Sequence, residues 1–184
     1  MQEHAPHIGN IGETPSRHQL AERMLHAFEC GASNAFTIRA PAKSSTSEFL
    51  HMNLMPAAGE RGFRTGHVSF DMAGSSPEAL VCQCIAEMIG EQPPAGVVGL
   101  DSLREQFKKL ISTGDRFLLC LGDVDELANR PEPQSFLYAL RTLLEQNRQH
   151  IVVVFTGSDQ EGLRSIFSDA RAPFYKSSLF VDLP

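Results

Sequence analysis

Apolar and polar positions alternate in two distinct periods along this chain. Between residues 17 and 30, Leu20, Met24, Leu25 and Phe28 share one helical face, and Ser16 precedes them as an N-cap. Gly31-Ala32-Ser33-Asn34 closes that helix, and residues 36–39 form a short apolar strand. After small residues comes a helix carrying Phe49, Leu50, Leu54 and Met55, which Pro56 is expected to end. Residues 66–71 read as a second strand. Ser76 and Pro77 then open a helix bearing Leu80, Val81, Ile85 and Met88. Residues 101–112 are amphipathic through Leu103, Phe107, Leu110 and Ile111. The continuous apolar run at 117–121 suits a strand covered on both faces, and the β-branched run at 151–155 is the clearest strand. Helices over 134–148 and 160–168 flank the latter, and 179–181 makes a last strand.

Strands alternating with helices in this way call for an α/β domain with a mainly parallel five-stranded sheet and right-handed crossovers. Ligands of such sheets sit at the carboxyl ends of the strands. The positions to examine are therefore Ala40 to Ser47, Asp71, Gly122 to Asp125 and Thr156 to Asp159.

The first of these segments follows a strand and opens a helix, the layout of a phosphate-binding loop with the pattern G-x-x-x-x-G-K-[ST]. The eight positions read Ala40, Pro41, Ala42, Lys43, Ser44, Ser45, Thr46 and Ser47, so both glycines and the lysine are replaced and the final hydroxyl stays. Glycine permits the close backbone approach that a phosphate requires, and Ala40 and Ser45 put side chains there. Thr46 cannot supply the lysine's charge. Lys43 stands three positions earlier, where a solvated loop lysine is the commoner outcome.

Length and charge narrow the class. The 184 residues suit one domain, 15–184, behind a loose lead-in over 1–14. A net charge of −6 argues against broad nucleic-acid binding, which needs a basic face. No apolar run approaches membrane-spanning length, and the N-terminus lacks the build of a signal peptide, so a cytoplasmic protein is expected. The four cysteines, Cys30, Cys82, Cys84 and Cys120, lack zinc-site spacing and read mostly as buried free thiols.

Taken together, these strand ends resemble the ATPase core of the P-loop superfamily, in the AAA/STAND-like branch of archaeal-type ATPases and their bacterial relatives. The resemblance covers about residues 14–184 and implies a three-layer αβα core of RecA/AAA type. Pro41, a basic residue, Ser47 and the Phe49-Leu50 pair match the branch's loop pattern, and Val68-Ser69-Phe70-Asp71 its second strand. The run Leu118 to Leu127 has the shape of its third strand, with Gly122 in place of the magnesium-directing Asp and Asp123 in place of the water-activating Glu. Asp123 is thus the catalytic candidate. Ala40 to Ser47 are the nucleotide-site positions, together with Ser158 at the sensor-like end of the fourth strand.

Implied ligands are ATP or ADP, with magnesium held by Ser47 and, through water, Asp125. Beside these roles stand plainer ones. Ser158 or Asp159 serves as a helix cap, Asp123, Asp125 and Glu126 form an acidic turn, Arg164 and Arg171 are surface arginines, and His67 is a core-edge residue. Phosphoryl transfer depends on positioning and charge, so losing the lysine and the metal carboxylate together removes most of the rate. The expectation is a degenerate ATPase-like domain acting as a regulatory or scaffold module on a protein partner or on itself. The alternative is an ATP-binding protein with weak or atypical turnover.

Overall fold

The computed structural model describes residues 15–40, 42–71, 74–128 and 133–184. The expected lead-in over 1–14 lies outside them. Five parallel strands form one sheet in the order β2-β3-β4-β1-β5. They are β1 (Ala35–Arg39), β2 (Phe63–Ser69), β3 (Arg116–Gly122), β4 (Ile151–Gly157) and β5 (Leu179–Asp182). β1 lies between β4 and β5, pairing Ile38 with Thr156 on one side and with Val181 on the other.

The helices cover both faces. One layer holds α1 (Arg17–Glu29) and a helical run made of α2 (Lys43–Phe49), a π-helical turn (Leu50–Leu54) and α3 (Met55–Glu60). The other holds α4 (Pro77–Ile89), α5 (Leu100–Ser112), α6 (Pro133–Gln146) and α7 (Gln160–Phe167). β3 shows why its run is apolar throughout. Phe117, Leu119 and Leu121 enter the core beneath the second layer, while Leu118 and Cys120 enter the core beneath the first. A strand buried on both faces has no polar side to present.

Local chemistry matches most of the predicted boundaries. Ser16 caps α1 with a full capping box, its hydroxyl accepting from Gln19 N–H while Gln19 Oε1 accepts from Ser16 N–H. Ser76 caps α4, with Pro77 at its first position. Gly66 has no Cβ because α4 leaves no room for one: an added Cβ would stand 2.6 Å from Cys84 Sγ and overlap Met88.

Pro56 differs from expectation. It does not end the helix but opens α3, which continues to Glu60. Proline lacks an N–H, and its ring crowds the preceding turn of a regular helix. The π-helical turn just before it, closed by Met55 N–H donating to Leu50 C=O, relieves both conflicts.

Candidate nucleotide site

Three residues, 40–42, stand between the end of β1 and the start of α2. Arg39 ends the strand, Ala40 is buried, and Ala42 is an extended N-cap with no side-chain cap bond. The helix begins at Lys43, so five of the eight motif positions, Lys43 to Ser47, are already helical. Ser45 N–H donates to Ala42 C=O at 3.1 Å, which spends an amide inside the turn. The start of α2 therefore falls within the eight positions of the expected phosphate-binding loop. Pro41 and the side chains of Lys43 and Ser44 lie outside the described residues. Thr46, in the lysine's place, is 7 % exposed and turned toward the sheet, and Ser47 is exposed.

The carboxyl ends of β2, β3 and β4 meet this helix around a cavity of about 230 Å³. Thr46, Ser47 and Leu50 line it from the helix, and His67, Ser69, Asp71, Gly122, Asp123 and Thr156 from the strand ends. The lateral register sets this grouping: Ser69 stands opposite Gly122, and Phe70 N–H donates to Gly122 C=O at 3.0 Å. Asp123 then takes a left-handed conformation (φ 55°, ψ 39°), which aspartate tolerates better than most residues. This turns its carboxylate back to Ser69, whose Oγ lies 2.7 Å from Asp123 Oδ2 and 2.6 Å from Asp71 Oδ1. The mouth of the cavity thus carries two carboxylates around one hydroxyl.

His67 reaches the same place from β2. Its ring meets His51 of the π-helical turn edge-to-face, with centroids 4.9 Å apart. Burial, and His51 beside it, hold the imidazole below its ordinary value against the opposing pull of Asp123 and Asp71. A Cβ added at Gly122 would stand 3.0 Å from His67 Nε2, 3.2 Å from Val68 C=O and 3.6 Å from Thr156 Oγ1.

Asp125 is placed elsewhere. It sits in a 3₁₀ turn (Val124–Leu127) and is 3 % exposed. Its Oδ2 accepts the backbone N–H of Ser158 at 3.1 Å and of Asp159 at 2.7 Å. Asp125 is wedged against Gly157 and Gly162: an added Cβ at Gly157 would come to 2.7 Å of its Oδ1, and one at Gly162 to 2.9 Å of its Cβ. Asp125 and Ser158 do not line the strand-end cavity. Asp159 caps α7, accepting from Gly162 N–H at 2.8 Å, so of the two candidate caps it is the one used. Arg164 is exposed on α7, 3.4 Å from Asp169.

Of the sequence candidates, the structure brings Thr46, Ser47 and Asp123 together. It adds His67 and Ser69, which the sequence reading did not place in the site. The signal was present in the strand period, since His67, Ser69 and Asp71 are spaced by two and approach one strand end.

No protein-family model and no curated protein sequence matches the chain. Solved structures match its architecture. The Aeropyrum pernix ORC2 protein, in ADPNP-ADP complexes, superposes with a TM-score of 0.66 at 17 % identity, covering 91 % of this chain and 46 % of that one. A Walker-type ATPase of Pyrococcus abyssi gives 0.64 at 11 % identity, covering 91 % and 53 %. The Aeropyrum pernix ORC1 protein in complex with DNA gives 0.62 at 21 % identity, covering 93 % and 45 %.

The fold is that of the ORC/Cdc6-type AAA+ ATPase core. The chain spans about half the length of the solved structures it resembles. In a P-loop core, magnesium is held by the loop hydroxyl and an acidic residue after the third strand. Here Ser47 lines the cavity, but Gly122 has no carboxylate, and a side chain at that position would come within 3.0 Å of His67 Nε2. The residues present do not fit a magnesium ion at that position.

The described residues facing the cavity include the carboxylates of Asp71 and Asp123. Among the described residues, no helix is long and apolar enough to cross a membrane.

Proposed function

We propose that this chain is a degenerate AAA-type ATPase-like domain, one unit over residues 15–184, that lacks efficient ATP hydrolysis and serves as a regulatory or scaffold module. One observation carries this reading. The position after β3 that would direct a metal is Gly122, where an added Cβ would come within 3.0 Å of His67 Nε2 at the wall of the strand-end cavity. The turn at the start of α2 supports it, because Ser45 N–H donates to Ala42 C=O and is not offered to a phosphate. The partner is a protein or a second copy of the chain, in the cytoplasm. The net charge of −6 weighs against DNA, although solved relatives of the fold include an ORC1 protein in complex with DNA.

A second reading keeps ATP or ADP as a ligand, with weak or atypical turnover. It is favoured by Ser47, Asp123 and Thr156 all facing one cavity, with Asp123 as its base. Calorimetric titration of ATP and ADP, with and without magnesium, separates the two. A nucleotide that binds only the folded chain raises stability by about 2.7 kcal/mol at a hundredfold excess over Kd. Neither heat nor thermal shift at millimolar nucleotide is the expected result. Magnesium-dependent binding, with turnover above that of Asp123→Asn, refutes the proposal in favour of the second reading.

A further inference from the structure

We infer that His67 is the residue that keeps a divalent cation out of the strand-end cavity, as one half of an interlocked pair with Gly122. The inference rests on the reading above and assigns the exclusion to a particular side chain. β2 and β3 are in register with Ser69 opposite Gly122, which places His67 two residues back on the same face of the neighbouring strand. Its Nε2 comes within 3.0 Å of the point where any Cβ at position 122 would stand. An Asp at 122 would extend its carboxylate further into the same space.

The ring is held in place. His51, from the π-helical turn, packs edge-to-face on it at 4.9 Å with planes at 88°. Asp71 and Asp123 face it from the strand ends across the cavity. The imidazole is thus fixed between a helix on one side and the β3 end on the other, and Gly122 is the residue type that admits it. Losing the carboxylate at 122 and gaining the imidazole at 67 are therefore a single change of packing. A carboxylate restored alone requires His67 to give way.

Two measurements on the whole chain test this without nucleotide. Manganese chloride is titrated into wild type, Gly122→Asp, His67→Ala and the double variant, with free Mn²⁺ followed by its paramagnetic resonance signal. The double variant is expected to bind at least tenfold more tightly than Gly122→Asp. Equal binding by Gly122→Asp and the double variant, or equal binding by wild type, overturns the inference.

The second measurement survives poor folding of the Asp variants. Gly122→Ala should lower the melting temperature clearly in wild type and by less than half as much in the His67→Ala background. The residual cost comes from Val68 C=O at 3.2 Å, which both backgrounds share. Strictly additive effects remove His67 from the role, while the scaffold reading stands or falls separately on the nucleotide titration.

Discussion

Asp125 offers the sharpest test of how the acidic turn after β3 is used. If its carboxylate is a structural acceptor, Asp125→Ala removes two hydrogen bonds to the amides of Ser158 and Asp159, 3.1 and 2.7 Å long, inside the protein. Hydrogen bonds to a charged group contribute about 1.5–3 kcal/mol each, giving a gross loss of about 3–6 kcal/mol. Part returns. The other oxygen, Oδ1, is buried without a partner among the described residues, and deleting it recovers about 1–3 kcal/mol. The net loss is then about 2–3 kcal/mol. For a chain of 184 residues, this corresponds to a melting point about 4–12 °C lower. Asp125→Asn keeps one acceptor oxygen and should lose about half as much.

The assay is urea and thermal unfolding followed by circular dichroism, in chelator and again in millimolar magnesium. A melting point for Asp125→Ala within 2 °C of wild type in chelator would refute the reasoning. So would magnesium stabilising wild type and not the variant, the signature of a metal ligand.

Other outcomes follow from the same geometry. His67, packed by His51 and faced by Asp71 and Asp123, has its pKa lowered from 6.5 by burial first, so the unfolded chain binds this proton more readily. Stability is then full above about pH 6.5 and falls as pH drops below it. His67→Gln should flatten the melting-point profile between pH 7.5 and 5.5, and an unchanged slope would contradict the burial argument. Burial pushes the Cys82 thiol up to about 11 and Cys84 to about 12, and Cys120 is raised as well, while Cys30 is exposed. Iodoacetamide should add one group to the native chain by mass spectrometry and four to the unfolded chain. Two or more rapid native adducts would show the α4 face to be open. Gly66→Val would force Cys84 and Met88 of α4 to move and should cost about 1–3 kcal/mol in urea unfolding, and no loss would mean α4 is loosely seated.

The sheet was legible because its strands are apolar runs of the right length separated by capped helices. Ser16, Ser76 and Pro77 marked helix starts that the structure uses. The missing carboxylate at Gly122 could be read from the end of a strand. What filled the gap could not. The encounter of His67 with Gly122 depends on the lateral register of β2 against β3, set by packing across more than fifty intervening residues. Local sequence also left the helix start at Lys43 undecided, since Ala42 to Ser47 suits a short loop as well as a first turn. Asp123 and Asp125 look alike in the sequence. The left-handed turn at Asp123 separates them, sending one carboxylate to the cavity and the other to the amides before α7.

The π-helical turn settles a matter of phase. Thr46, Leu50, Leu54 and Ala58 are all buried, at strict intervals of four residues. An ordinary helix advances about 100° per residue, so each step of four overshoots by about 40°, and three steps would swing Ala58 about 120° off the sheet. The wider turn at Leu50–Leu54 takes up that excess and keeps the row straight. Met52, exposed on the outer side of this turn, is accommodated as one surplus residue without loosening the core. The helix can therefore run on to Glu60 along a single track while holding His51 against His67 at its widest point.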